Sequence, residues 1–416
     1  MGSTFKGPRS KQTYIRTSYF KCPNLKFSEF QVKMSTRKCQ LARLPGLEPT
    51  EVQLDRKYQK MVTVQFQNLP DEIILKVMSN LSVEELIQWG QVSKRIRKIS
   101  HDISLWQEVD LFENKVSTDF VKMILSNGCE YLSLSFCKLV GNLSLKKPSN
   151  LKGLDLTNCL ARIDVGEELL ASCNSLETLI LSEFGLTQKM VNSVCENGKE
   201  LKYLTLDGAK SKRKRLNRLL DSCHSLEYLK LEFFSISSKK IESLCFKNQL
   251  TLQKLDFSNC YGLNLKSVKL IVNNCVEIKD LRLPNSQLSK NSLQYLVNNL
   301  TTKIEMLSLK VQINLNDAHI LDLVERCKNL SVLDLGSTSI NDNSITGIIN
   351  NLKLTLKELC VANCINISYS VLKKLLVMDQ LRVLECDEVY TENLRKQPSN
   401  VEINEDSFSL YFSMED

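Results

Sequence analysis

The side chains with most chemistry to offer are three histidines and fifteen cysteines. His101, His224 and His319 sit in unrelated segments, and none stands in a metal-ligand spacing such as H-E-x-x-H. No G-x-x-x-x-G-K-[ST] loop and no G-x-G-x-x-G run is present, so neither phosphate-cradling motif is available. Eight cysteines fall at two recurring positions. Cys137, Cys159, Cys260 and Cys364 each follow an apolar triplet by three residues, and Cys173, Cys223, Cys275 and Cys327 each precede the next by three. Zinc needs its thiolates clustered, whereas these are spread one by one along the chain. Free cysteine behaves as a small buried hydrophobe, and packing accounts for them. Cys360 is the exception expected to face outward, but it has no neighbouring histidine to activate it. No metal, no cofactor and no catalysis by this chain are expected.

The triplet that phases the cysteines is L-x-x-L-x-L. It reads Leu151/Leu154/Leu156, Leu176/Leu179/Leu181, Leu201/Leu204/Leu206, Leu226/Leu229/Leu231 and Leu252/Leu255/Phe257. It continues as Ile278/Leu281/Leu283, Ile304/Leu307/Leu309, Leu330/Leu333/Leu335, Leu356/Leu359/Val361 and Leu381/Leu384/Cys386. Successive units start 25 or 26 residues apart, and an earlier one lies at Cys129/Leu132/Leu134. Within each unit the last two apolar positions are two apart and point to one face of a short strand. A polar loop and an amphipathic stretch follow, as with Ile320, Leu323 and Val324. One unit cannot bury its apolar face alone, but stacked neighbours share a continuous core.

This pattern resembles the cysteine-containing leucine-rich repeats, over roughly residues 106–403. The resemblance implies an α/β solenoid, a horseshoe with a parallel sheet on its concave side and helices on its convex side. Outward strand positions alternate with the leucines and so form the concave surface. Taking three per strand from Gly153 to Asp387 gives nine acids against four bases. The strands from Leu201 to Leu283 combine Tyr203, Thr205, Tyr228, Lys230, Glu232, Asp256, Asp280 and Arg282. Aromatic anchors beside charge suit a protein interface, which makes these the candidate substrate-binding residues.

Residues 66–106 differ in character. Asn68-Leu69-Pro70-Asp71-Glu72-Ile73-Ile74 places proline where a helix can start, and Val77 continues the helical spacing. Ser82-Val83-Glu84-Glu85 has the form of a capping box opening a second helix, with Leu86 and Ile87. Val92, Ile96 and Ile99 mark a third. The segment resembles an F-box, in its Leu69-Pro70 start, Val92, Arg95, and the closing Leu105-Trp106. Ser93 and Ile96 depart from the family's usual cysteine and tryptophan. The resemblance implies docking to the SCF adaptor through Leu69, Pro70, Glu72, Ile73, Ile74 and Val77, and through the adaptor to a cullin and a RING subunit. The chain would then be the substrate-recognition subunit of a ubiquitin ligase. The alternative is a non-catalytic repeat scaffold whose F-box-like helices serve as an N-terminal cap, since repeat arrays need one.

Four regions follow: a basic arm (1–60), the F-box (61–106), repeats (107–403) and an acidic tail (404–416). The chain's charge excess is 55 − 47 = +8, and residues 1–50, with ten basic and two acidic side chains, carry all of it. A nucleic-acid-binding domain should carry its basic excess on its own body, so no nucleic-acid partner is expected. No apolar run is long enough to span a membrane, and no secretory signal opens the chain; a cytoplasmic or nuclear location is expected. The densest charge run, Lys210, Lys212, Arg213, Lys214 and Arg215, reads either as a nuclear-import signal or acidic-partner contact, or as a solvated convex surface.

Overall fold

A computed structural model describes residues 69–207 and 213–405. The basic arm, Lys210, Lys212 and the tail beyond Glu405 lie outside the described residues. The chain divides into two compact units, Met1–Asn80 and Leu81–Asp416, a boundary that falls inside the expected 61–106 segment.

In the first unit, helix α1 (Asp71–Met78) starts after Pro70, whose carbonyl accepts the N–H groups of Ile73 and Ile74, both at 3.1 Å. Asp71 and Glu72 in its first turn and Lys76 in its last complement the helix dipole.

The second unit opens with α2 (Val83–Trp89) and α3 (Lys94–Ser100). The capping box is formed: Glu85 N–H donates to Ser82 Oγ (3.3 Å), and Ser82 N–H to Glu85 Oε2 (2.8 Å). Ser93 caps α3 by accepting the Ile96 N–H at 3.1 Å, which gives this departure from the F-box pattern a structural job. Ile96 and Ile99 are buried, whereas Val92, expected in the third helix, lies before it and is 75% exposed. Trp106 is buried, and its indole N–H donates to the Ser100 carbonyl at 2.7 Å.

A thirteen-stranded parallel sheet follows in strict chain order, from Glu108–Asp110 to Glu402–Glu405; Lys115–Ser117 and Lys138–Val140 pair separately. The register aligns the middle leucines: Leu179 with Leu204, Leu204 with Leu229, Leu229 with Leu255, Leu255 with Leu281. All three apolar positions of the ten units are buried. Burying each such side chain contributes roughly 1.5–3 kcal/mol, and the sum is what holds neighbouring coils together. Helices lie between most successive strands, many with a polar side chain on the third-residue N–H, as at Thr187, Ser289 and Asn316.

The residue two beyond the last leucine takes a left-handed conformation in coil after coil. Asn158, Asn259, Asn285 and Asn363 have φ between 48° and 59°. The N–H groups of Asn158, Asn259 and Asn285 extend the ladder, Asn285 donating to the Lys310 carbonyl at 2.9 Å, whereas the Asn363 N–H donates to the Asp387 carboxylate. Asparagine tolerates this region, but Val311 (φ 59°) is β-branched and strained there. Val311→Asn should therefore raise stability by about 1 kcal/mol, read as a higher urea midpoint with an unchanged slope.

A second row locks the register at the opposite edge of the strands. Glu130, Lys152, Glu177, Lys202 and Glu227 occupy successive coils, each N–H donating to the carbonyl of the one before. Lys152 meets Glu130 at 2.7 Å and Lys202 meets Glu177 at 3.1 Å. After Gln253 the alternation resumes with Lys279 and Glu305, 3.9 Å apart. Each exposed pair contributes at most ~1 kcal/mol, but slipping one coil would set like charges opposite each other.

Candidate binding surfaces

Helix α1 presents two stripes. Pro70, Ile73 (46% exposed) and Val77 (39%) follow one another at helical spacing on the open side, with Glu72 also exposed. Ile74 and Met78, four apart, are fully buried. Ile74 was expected among the docking residues and is instead core, because adjacent residues on a helix are rotated by about 100° and cannot share its outer face. Leu69 is half-buried.

The open face of the sheet is built by residues alternating with the leucines. Tyr203 and Tyr228 are direct neighbours, and so are Thr205 and Lys230, and Asp207 and Glu232. Both tyrosines are half-buried, and the Tyr203 hydroxyl donates to Glu227 at 3.0 Å. Burial, with the Glu227 carboxylate beside it, pushes that phenol up to about 12. Lys230 and Glu232 approach to 3.4 Å. Arg282 holds Asp280 through two hydrogen bonds of 3.0 and 2.9 Å.

Three expected contacts are not open. Thr205, Asp256 and Asp280 are each about 95% buried, at 5%, 4% and 5% exposure. In a parallel sheet the strands are ~4.8 Å apart, so longer neighbours shade the short side chains. Asp256 accepts hydrogen bonds from the Ser258 N–H and hydroxyl, and Asp280 is held by Arg282, so both carboxylates serve the sheet itself. The surface these strands offer is accordingly Tyr203, Tyr228, Lys230, Glu232 and Arg282.

Cys360 is likewise corrected. It lies on the open side of its strand but is completely buried by its neighbours there, and burial raises its thiol well above the ordinary value. The two cysteine rows are buried as expected, with a refinement the spacing did not carry. Cys137, Cys260 and Cys364 point toward the carbonyls of Leu111, Leu231 and Leu335 in the preceding coil, at 2.7, 3.1 and 3.2 Å. Burial pushes the thiols of Cys159, Cys173, Cys223 and Cys260 up to about 12, which leaves them protonated at neutral pH. Among the described residues no group of three metal-ligating side chains comes together, and no helix is long and apolar enough to cross a membrane.

Buried carboxylates give the sheet a pH signature. Desolvation raises Asp155, Asp280 and Asp334. Asp334 accepts from Ser308 Oγ at 2.8 Å and Gly336 N–H at 3.1 Å. A carboxyl raised on folding binds more protons in the native state, so it disfavours folding progressively as pH climbs through its folded value. Asp334→Asn removes that cost. Its stability relative to wild type should increase from pH 4 toward pH 7, about the window above the ordinary aspartate value, in paired urea titrations.

Of the basic run, Lys210 and Lys212 lie outside the described residues. Arg213 begins the helix Arg213–Ser222, Lys214 is exposed, and Arg215 donates to the Leu186 carbonyl at 2.9 Å.

Sequence reasoning missed two buried amides. Gln312 occupies the position that cysteine holds in other coils. It is fully buried, donating to the Leu283 carbonyl and Ser286 and accepting the Leu288 N–H. Asn248 accepts the Leu226 N–H at 2.8 Å and donates to the Leu244 carbonyl at 3.0 Å. Their place in the repeat frame, where an apolar residue was due, was the available signal.

Together these features define a leucine-rich-repeat solenoid behind an F-box-like segment. A family model described as SKP2 LRR domain matches residues 198–411, and one described as F-box-like matches 66–111. The chain belongs to the F-box and leucine-rich-repeat protein family. F-box/LRR-repeat protein 17 of Arabidopsis thaliana is 29% identical over 129 residues, covering 31% of this chain and 22% of that protein. The crystal structure of the yeast Rad7 and Elc1 complex contains a chain with a similar fold, at a TM-score of 0.50 and 16% identity, covering 80% of this chain and 92% of that one.

Proposed function

We propose that this chain is the substrate-recognition subunit of an SCF-type ubiquitin ligase. The observation that carries the proposal is the exposed Pro70, Ile73 and Val77 stripe on α1, inside the segment matched as F-box-like. An apolar stripe on a helix that also buries Ile74 and Met78 is a ready surface for an SCF adaptor, which would link the chain to a cullin and a RING subunit. The similar Rad7 fold is itself found in a complex with a second protein, Elc1.

In this role the chain does no covalent chemistry. It holds a substrate lysine near a ubiquitin thioester and so raises its effective concentration. The substrate would lie on the open face around Tyr203, Tyr228, Lys230, Glu232 and Arg282, where two tyrosines on adjacent strands offer anchors. The location proposed is cytoplasmic or nuclear, with Lys210–Arg215 as the candidate import run. Tyr203→Ala with Tyr228→Ala should weaken substrate capture and ubiquitination while adaptor binding persists. Capture that survives the tyrosine pair but fails on neutralising Lys210–Arg215 would move the site to the helix side.

A second reading has its own support. Asn114 in the first coil donates to Glu84 of α2 at 3.2 Å, so α2 helps to close the end of the repeat stack. A scaffold using these helices only as a cap would show no adaptor in co-purification.

A further inference from the structure

The helix side of the repeats concentrates positive charge on five successive helices, Gln188–Asn197, Arg213–Ser222, Ser238–Lys247, Leu265–Asn274 and Lys290–Asn299. Together they hold eleven cations against three acids, Glu196, Asp221 and Glu242. The chain beyond residue 50 carries no net charge, so this is segregation rather than general basicity. Lysine is the second residue of the first four helices, as Lys189, Lys214, Lys239 and Lys266, and Lys290 opens the fifth. Neighbouring helices of the set pack side by side, so these positions form one row at the helix spacing of ~8–10 Å.

The row works against the helices that carry it. A cation at a helix start opposes the helix dipole, and none of the five has an acid in its first turn. The helices on either side do, with Asp164 in Ile163–Ser172 and Asp317 in Asp317–Arg326. All five lysines are exposed. Lys189 reaches Glu167 at 3.3 Å and Lys266 reaches Glu242 at 3.9 Å, whereas Lys214, Lys239 and Lys290 form no ion pair with any described residue.

A recess of about 450 Å³ opens inside this band. Lys239, Glu242, Ser243 and Phe246 line it from one helix, and Leu270 and Asn274 from the next. Glu242, the acid in this lining, is the one beside Lys266. Phe246 is 70% exposed, so an apolar wall faces solvent next to the lysines.

One occupant fits both features. An extended chain rises about 3.3 Å per residue, so an acid at every third position advances ~10 Å and meets one lysine per coil. An apolar side chain between two such acids falls at the recess, against Phe246 and Leu270. A nucleic-acid backbone suits the band less well. Its phosphates would face Glu167, Asp221 and Glu242, carboxylates set among the lysines, and it has no side chain for the recess.

We propose that the helix side from Lys189 to Lys290 docks an acidic segment of a partner protein on this lysine row, with one apolar side chain of the segment seated against Phe246. The contact is separate from the α1 stripe and from the open face of the sheet, and it rests on neither.

Fluorescence anisotropy on the full chain at physiological ionic strength tests the proposal. The probe is a labelled peptide with glutamate at every third position and one central phenylalanine. Its glutamine counterpart should bind at least about tenfold more weakly, because the lysines then lose every charged partner. Lys214→Glu with Lys239→Glu should weaken the glutamate peptide by more than about tenfold, and Phe246→Ser by roughly three- to tenfold. Lys373→Glu with Lys374→Glu makes the same charge change on exposed residues of another helix and should leave binding as it was. A glutamate peptide that does not bind, or that binds no better than its glutamine counterpart, overturns the proposal. Equal losses in the two lysine pairs would show that only net charge is read, and a duplex oligonucleotide binding the band as tightly would make it a general polyanion surface. Either result overturns it as well.

Discussion

Ile73→Glu with Val77→Glu should reduce affinity for a purified SCF adaptor by more than about 100-fold, with the thermal melt unchanged. Both side chains are partly exposed, so the folded chain loses little by the change. At an interface the same positions become buried, where removing an apolar anchor costs about 2 kcal/mol each and an unpaired carboxylate adds to that. Ile74→Ala gives the opposite pattern. Ile74 is fully buried in α1, and truncating it should cost about 2–5 kcal/mol of stability before any effect on binding is read. Calorimetry for affinity and a urea melt for stability separate the two stripes. A double variant that still binds would place the adaptor surface elsewhere.

The second large effect is expected at Gln312. Its amide satisfies the Leu288 N–H at 2.9 Å and bonds Ser286 at 2.9 Å, with no solvent to replace it. Gln312→Ala opens a cavity and strands a buried donor, a combined cost of about 3 kcal/mol or more. Gln312→Met keeps most of the volume and loses only the hydrogen bonds, so it should cost about 1–3 kcal/mol. The urea midpoints of the two variants therefore divide packing from hydrogen bonding. A Gln312→Met midpoint equal to that of wild type would mean that the amide contributes nothing beyond its volume.

The repeat frame was legible because leucine spacing and strand geometry are the same information: each L-x-x-L-x-L unit becomes a strand edge whose leucines align with those of the next coil. The cysteine rows were legible for the same reason, since a fixed phase gives a fixed depth. Direction from the sheet was also readable, but exposure was not. Thr205, Asp256, Asp280 and Cys360 alternate with the leucines as required, yet neighbouring rungs cover them. Helix α1 shows the same limit on a smaller scale. Ile73 and Ile74 are chemically equivalent and adjacent, and only the helix phase decides that one is open and the other core. The left-handed row was hidden because Phe136, Glu183, Phe233 and Val311 share it with asparagines, residue types that do not announce that conformation.

Ser93 illustrates how a departure from a family pattern can be neutral. Its hydroxyl caps α3, so serine at this position serves the start of the helix directly. Ile96, the other departure, is buried beside it in sequence and fills core volume. Neither departure falls within α1.

In the proposed function one chain carries an adaptor-docking stripe and a separate substrate face. Affinity purification of tagged full-length protein from cells, followed by mass spectrometry, tests it with three forms compared side by side. Wild type should recover adaptor, cullin and RING subunits together with substrates; Ile73→Glu/Val77→Glu should lose the three ligase subunits and keep substrates; Tyr203→Ala/Tyr228→Ala should keep the ligase subunits and lose substrates. Wild-type protein that recovers no adaptor and no cullin would contradict the account and leave the capped scaffold in its place.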